Sequence, residues 1–273
     1  MGNEAASIKE KPEFKTEKPY SKGLLKESNY SIFGEYENTN NRKIYLVKDK
    51  QNKLYKLEKI NSYKKFNNQI IYKIKEYQKI NCKYLIQIHD FFIKEDTNME
   101  NILFLVIDFY EDNLETMNKK NNILDSVFIW KIFIQIILAL NALISYDISI
   151  NNLDLVPKNI FLDIYDNIKI EGFEFLDFFV LKNKITEEKK DIIKSLGCIL
   201  YELIFKKKYN NDENALKSCS DKDLKTFLIK ILGKNRQIYS INDILADKAF
   251  IQKFFDLNLY NEILIPNLES KFI

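Results

Sequence analysis

Short segments in which apolar and polar side chains alternate mark the first 110 residues of the chain. Such alternation predicts strands, because successive side chains of a strand point to opposite faces of a sheet. The polar tetrapeptide Asp49-Lys50-Gln51-Asn52 predicts a hairpin turn between the second and third segments. His89 is the only histidine, and its place within an alternating segment favours a structural role. The predicted strands are at 30–33, 43–48, 53–60, 85–93 and 102–109.

Helical spacing of apolar residues predicts helices between and after these strands. The helix predicted at 67–80 has one apolar face, formed by Ile70, Ile71, Ile74, Tyr77 and Ile80. Asp125 or Ser126 is a suitable N-cap for a long helix that follows. Strands followed mainly by helices indicate an α+β fold.

The longest apolar run, at 127–144, predicts a buried helix rather than a membrane span. It contains Lys131, Gln135 and Asn141. A helix that crosses a bilayer avoids such side chains, because the hydrocarbon core offers them no water.

Composition sets broad limits on function. The chain has 273 residues, which is enough for one domain of two lobes or for two small domains. Hydrophobic residues make up 46% of it, so a sizeable core can be buried. A formal net charge of +3 is too small to indicate nucleic-acid binding, so no nucleic-acid partner is expected. Cys82, Cys198 and Cys219 lack metal-ligand spacing and indicate reduced thiols in a cytoplasmic protein. Cys82 and Cys198 fall in apolar patterns and are predicted to lie in the core.

The two ends of the chain are predicted to be tails. Residues 1–27 are polar and rich in Lys and Glu, and 264–273 form a short C-terminal tail. The start, Met1-Gly2-Asn3-Glu4-Ala5-Ala6-Ser7, resembles an N-myristoylation signal with Ala where Ser or Thr is usual. An acyl chain on Gly2 would combine with basic residues to hold the protein at a membrane surface, and an ordinary disordered tail is the alternative. The basic residues are Lys9, Lys11, Lys15, Lys18, Lys22 and Lys26.

Two motifs in the middle of the chain resemble a protein kinase. Asn152-Leu153-Asp154-Leu155-Val156-Pro157-Lys158-Asn159 resembles the catalytic loop, which the family writes His-Arg-Asp-Leu-x-Pro-x-Asn. Gly172-Phe173-Glu174 stands where the family has the Asp-Phe-Gly of its metal loop. The resemblance covers about 28–255 and implies a bilobal protein-kinase-like domain at 28–263. Its parts would be an antiparallel-sheet N-lobe with one helix (28–109), a hinge (108–113) and a mainly helical C-lobe (114–263). The resemblance also implies a central helix at 191–203 and closing helices within 224–232 and 241–250.

Within the catalytic loop the resemblance implies roles for three positions. Asp154 matches the Asp that orients the substrate hydroxyl, and Asn159 matches the Asn that holds the second Mg²⁺. Val156 replaces the neighbouring Lys. Asp154 and Asn159 also have a structural interpretation, because such side chains hydrogen-bond the backbone and hold a loop in shape.

The metal loop departs further from the family. Gly172 replaces the metal-binding Asp, while Phe173 keeps the packing residue and Glu174 replaces the final Gly. Glu171 and Glu174 remain as alternative cation ligands, each displaced along the backbone.

The predicted N-lobe has lost its phosphate-binding residues. No glycine lies at 37–42, where the family has its Gly-rich loop. Glu58 stands at the phosphate-binding Lys, Lys56 at the Ala above adenine, and Ile107 at the gatekeeper. Lys73 stands at the Glu of the helix, so Glu58 and Lys73 resemble a charge-swapped ion pair. A register shifted by two would make Lys56 the phosphate-binding Lys.

The resemblance therefore implies a catalytically inactive protein-kinase-like domain, a pseudokinase. It would serve as a protein-binding, scaffolding or allosteric regulatory module, with an active kinase or a scaffolded complex as partner, at a membrane surface through Gly2. No cofactor is expected, and weak binding of ATP and Mg²⁺ is the alternative. The competing hypothesis is an unconventional serine/threonine kinase in which Asp154 works with Lys56. A nucleic-acid binder is disfavoured by the small net charge.

Overall fold

The computed structural model of this protein is a mixed α+β fold with a five-stranded antiparallel sheet and several helices. It divides into two compact units, residues 1–65 with 88–109, and residues 66–87 with 110–273. The structure describes residues 29–38, 42–62, 68–95, 101–120, 124–151, 153–172, 191–211, 213–234 and 236–259.

The first unit is built on the antiparallel sheet, whose strand order is β1-β2-β3-β5-β4. One face is closed by Val47, Leu57, Phe104 and Val106, which are all buried. The alternation read from the sequence thus becomes a buried face, because every second side chain points to the same side. The strands are β1 Ser31–Asn38, β2 Arg42–Lys48, β3 Leu54–Ser62, β4 Ile88–Glu95 and β5 Asn101–Asp108.

The strand predicted at 85–93 begins later than expected. Leu85 and Ile86 belong to the second unit, where the Ile86 amide donates to the Ile170 carbonyl at 2.9 Å. The hairpin turn is confirmed, since the Asp49 carboxylate accepts from the amides of Gln51 and Lys53 at 2.9 Å each.

The second unit holds the helices and a three-stranded sheet of order β6-β7-β8. Its strands are β6 Asp112–Asn113, β7 Ile160–Leu162 and β8 Ile168–Ile170. A 3₁₀ turn, Pro157–Asn159, leads into β7. The helices are α1 Asn68–Gln78, α2 Leu114–Lys120, α3 Ser126–Ser145, α4 Ile192–Phe205, α5 Glu213–Lys217, α6 Lys222–Leu232, α7 Ile241–Leu245 and α8 Lys248–Asp256.

Helix α1 groups with the second unit, whereas the sequence assigned it to the first lobe. Its predicted apolar face is buried at Ile70, Ile74 and Tyr77. The Tyr77 hydroxyl donates to the Ile86 carbonyl at 2.9 Å, and Ile86 lies in the same unit. The tertiary partners of the apolar face, which sequence periodicity does not specify, decide where the helix belongs.

Helix α3 is the long apolar helix that the sequence predicted. Asp125 caps it by accepting from the Phe128 amide at 2.6 Å. By length and composition α3 could cross a membrane, but 78% of its apolar window is buried inside the structure. Gln135 and Asn141, which interrupt the apolar run, are buried with it.

The segment 241–250, predicted to be helical, contributes to two helices, because Asp247 interrupts it. The Asp247 carboxylate accepts from the Ala249 amide at 2.9 Å and so caps α8. Ser240 and Asp243 form a capping box at the start of α7. A strong N-cap inside an apolar period begins a new helix, since its side chain satisfies amides that no preceding turn can reach.

Candidate functional site

The segment 153–159 of the second unit is the candidate site that the sequence placed at the centre of the chain. Leu153 and Leu155 are both buried, and Asp154 between them is half-buried. The Val156 amide donates to the Asp154 carbonyl at 2.9 Å, and the Asn159 amide donates to the Val156 carbonyl at 3.0 Å. Two buried leucines therefore fix the loop and set the Asp154 side chain outward between them.

Asp154 and Asn159 are bonded to each other. The Asn159 side-chain amide donates to Asp154 Oδ2 at 3.1 Å and to the Asp154 carbonyl at 3.0 Å. The two residues thus have the loop-holding geometry that their structural interpretation predicts. Chemically, Asp154 keeps a carboxylate that can accept a proton or a hydrogen bond.

The β7–β8 hairpin places Gly172 beside packed apolar side chains. Gly172 is buried, and a Cβ added to it would lie 2.8 Å from Leu143 Cδ2 and 3.1 Å from Tyr77 Cε2. The space that a side chain would need is therefore filled by helices α3 and α1. Phe173 and Glu174 lie outside the described residues. Within the residues that the structure describes, no three His, Cys, Asp or Glu side chains cluster to hold a metal ion.

Gln135 of α3 holds the β7–β8 hairpin through two hydrogen bonds. Its Oε1 accepts from the Ile168 amide and its Nε2 donates to Asn167 Oδ1, both at 3.0 Å. A buried amide side chain with both ends satisfied holds its partners in one arrangement. Gln135 stands out in the sequence because it interrupts an apolar run, but nothing in the sequence marks its partners, which lie 32 and 33 residues away.

A cavity of about 680 Å³ lies beside the segment 154–158. Its lining combines carboxylates, lysines and apolar side chains, as a site for a polypeptide or a mixed small molecule would. Cys198 lines it and is half-buried, so the prediction that Cys198 lies in the core is wrong. The sequence pattern indicated that Cys198 lies among apolar residues of α4, but it did not indicate the cavity next to this side chain. The charged residues of the lining are Glu115, Asp154, Lys158, Asp191, Lys194, Glu202 and Lys208.

Asp191 is the most constrained carboxylate of this lining. It caps α4 by accepting from the Lys194 amide at 2.9 Å, and Arg236 holds it with Nη2 at 3.1 Å from Oδ1 and Nη1 on Oδ2. The hydrogen bonds from Arg236 hold the pKa of Asp191 below its usual value. Arg236 is itself oriented by donating from Nε to the Ile238 carbonyl at 2.6 Å. The sequence did not reveal this pair, because its partners are 45 residues apart.

In the first unit, Lys56 and Glu58 lie on one face of β3 and form an ion pair of 2.9 Å. The Glu58 side chain is 1% exposed. Ile107 is buried in β5 directly opposite Lys56. Lys73 is exposed on α1 in the other unit, so the predicted pair between Glu58 and Lys73 stays a prediction.

Two further predictions concern the first unit and the tail. His89 Nε2 lies 2.7 Å from Asp108 Oδ1 and its ring packs edge-on against Tyr55, consistent with a structural role. Residues 39–41 of the expected Gly-rich loop lie outside the described residues, as does Gly2. The chain matches no protein-family model, and no curated protein matches it in sequence.

Proposed function

We propose that this chain is a catalytically inactive, bilobal protein-kinase-like domain that serves as a protein-binding, scaffolding or allosteric regulatory module. Its partner would be an active kinase or a scaffolded complex. Acylation of Gly2 would attach the module to a membrane surface. Without acylation the module would work in the cytoplasm. A fold by itself does not define a function, so the proposal depends on what the site can and cannot do.

The packing around Gly172 carries the proposal. In the kinase interpretation this position holds the carboxylate that binds the phosphate-bridging metal, and transfer depends on that metal. Here the volume beyond the glycine Cα belongs to Leu143 and Tyr77. An Asp at this position would have to displace the Leu143 and Tyr77 side chains, which supports a site without this metal ligand.

The ion pair in β3 supports the same conclusion. The kinase interpretation expects a lysine free to pair with phosphate at position 58, and this chain has a buried carboxylate bonded to Lys56. The Glu58 carboxylate would repel a phosphate group. Lys56 could bind phosphate only by breaking its ion pair with Glu58, which costs free energy because Glu58 is buried.

Thermal unfolding with ATP, with and without Mg²⁺ or Mn²⁺, tests the proposal. A ligand at about 100 times its dissociation constant stabilises a protein by about 2.7 kcal/mol. In a chain of this size a stabilisation of about 2.7 kcal/mol raises the midpoint by about 5–10 °C. We expect no shift with nucleotide, with metal or with both, and no transfer of phosphate from ATP to a generic protein substrate.

Asp154→Asn is the matched control for the transfer assay. Activity that persists in Asp154→Asn comes from a contaminating kinase. Activity that this variant abolishes, together with a metal-dependent thermal shift, would overturn the proposal and establish the unconventional kinase instead.

A further inference from the structure

The turn between β7 and β8 presents two large apolar side chains to solvent. Ile164 is 90% exposed and Tyr165 is 73% exposed, and they occupy the two central positions of the turn. We call Ile164 and Tyr165 the apolar tip. Turns ordinarily place Gly, Asn, Asp, Ser or Pro at such positions, and Ile and Tyr favour strands. The composition of the apolar tip is therefore not explained by the local conformation.

Hydrogen bonds to Asp163 hold the turn that carries the apolar tip. The Asp163 carboxylate accepts from the amides of Tyr165 and Asn167 at 2.9 Å each, and the Asp166 amide donates to the Asp163 carbonyl at 3.0 Å. Asp166 takes a positive φ of 56°, which closes the turn with a bulge. The loop therefore has little conformational freedom left to lose on binding.

Helix α3 anchors the same turn. Lys131 donates from Nζ to the Tyr165 carbonyl at 3.2 Å, and Gln135 fixes Asn167. Val127, one helical turn before Lys131 on the same face, is 60% exposed. An exposed apolar cluster on a rigid scaffold is the usual anatomy of a binding hot spot.

We propose that the apolar tip docks into a partner protein whose surface offers an apolar pocket bordered by Lys or Arg side chains. The basic border follows from the two carboxylates of the turn, Asp163 and Asp166, which outnumber the Lys131 ammonium group bonded to the Tyr165 carbonyl. Like charge argues against an anionic membrane as the occupant, because these carboxylates would face acidic headgroups. This proposal deepens the binding-module function proposed above and rests on it.

The first experiment identifies the partner by crosslinking it to position 165 of the chain. A photo-crosslinking amino acid, p-benzoylphenylalanine, replaces Tyr165 in the full chain expressed in its source cells. The same amino acid replaces Tyr72, which is 63% exposed on α1, as a control. We expect a protein crosslinked from position 165 and not from position 72. The absence of any such protein overturns the proposal.

The second experiment measures direct binding of that protein, purified, to the purified full chain. Ile164→Ser with Tyr165→Ser is expected to weaken binding at least about tenfold, since it removes both anchors. Asp166→Asn is expected to weaken it by about twofold to threefold and to reduce its dependence on salt, because it removes a rim charge. Tyr72→Ser is expected to change nothing. Equal affinity of the double variant and the wild type would overturn the proposal.

Two further measurements distinguish other occupants. Flotation of the wild type, but not the double variant, with vesicles of 80% phosphatidylcholine and 20% phosphatidylserine would assign the tip to membranes. Self-association in sedimentation velocity that the double variant abolishes would assign it to a second copy. Either result overturns the proposal, and neither affects the ATP test, so a failure here is distinct from a failure of the proposed function. Unchanged thermal midpoints of the variants confirm that they fold.

Discussion

At the scale of single residues, Gly172 shows how closely the segment after β8 is packed. A Cβ added at this position would lie 2.8 Å from Leu143 Cδ2 and 3.1 Å from Tyr77 Cε2, so these side chains would have to shift. A larger residue at position 172 is therefore first a question of stability.

We predict that Gly172→Ala lowers the free energy of unfolding by about 1–3 kcal/mol, because overpacking forces Leu143 and Tyr77 to move. Gly172→Asp is expected to cost more, since it also buries a charge. Urea denaturation of both variants measures the two costs separately. An Asp variant as stable as wild type, with a thermal shift in ATP and Mg²⁺, would contradict this account.

The Lys56–Glu58 pair gives a second prediction at this scale. Lys56→Met removes the cation 2.9 Å from a carboxylate that is almost fully buried, and is expected to cost about 3 kcal/mol. The double variant Lys56→Met with Glu58→Met is expected to cost less than the sum of the single changes. A double-mutant cycle in urea checks this, and strict additivity would show that the pair is not coupled.

At the scale of elements, caps and side-chain bonds set where the helices begin. Asp191 starts α4 and is tied to Arg236, which lies beyond the end of α6. Asp247 and Ser240 divide one apolar period into α7 and α8. These polar side chains, rather than the apolar period, determine the boundaries.

The Asp191–Arg236 pair makes the stability of the protein depend on pH. Arg236 lowers the pKa of Asp191 in the folded state. The stabilisation from the pair is therefore present above the ordinary pKa of 3.8 and is lost as pH falls through the folded pKa. Asp191→Asn keeps an N-capping side chain but loses the charge. We expect this variant to be less stable than wild type at pH 7, with the difference shrinking as pH falls through about 3.8 and disappearing below the lower pKa of the folded state.

Urea denaturation of wild type and Asp191→Asn at several pH values measures this difference. Arg236→Gln should show the same pH dependence, because it removes the other partner. A difference that stays constant from pH 7 to pH 3 would mean that the ion pair contributes nothing.

At the scale of the whole molecule, the reactivity of the buried Cys82 thiol measures how often the folded protein opens. Burial raises the pKa of Cys82 to about 12 and that of Cys198 by a smaller amount. Because the thiolate is the reactive form, Cys82 is expected to resist iodoacetamide at pH 8 in the folded protein. Cys198, half-buried beside the cavity, is expected to react first.

Mass spectrometry of the alkylated peptides over time measures both rates. In urea above the unfolding midpoint the two cysteines should react alike, since both then have an ordinary pKa. Rapid native labelling of Cys82 would show that its surroundings open without global unfolding.

The sequence by itself determined the local periods of this protein. The alternation in β2, β3 and β5, the apolar faces of α1, α3 and α4, the Asp49 turn and the Asp125 cap lie where the residues placed them. Each of these depends on neighbours within a few positions, which the order of residues specifies directly. The loop-holding role of Asp154 and Asn159 could be predicted for the same reason, whereas the bond between their side chains was found only in the structure.

Only the tertiary structure decided which distant groups meet. It placed α1 with the second unit, filled the space beside Gly172 with Leu143, joined Asp191 to Arg236 and exposed the apolar tip above Lys131. These contacts join segments far apart in the chain, where many pairings satisfy the same apolar period. The choice among them is made by close packing and by the requirement that buried polar groups find partners, and neither can be evaluated before the chain is folded.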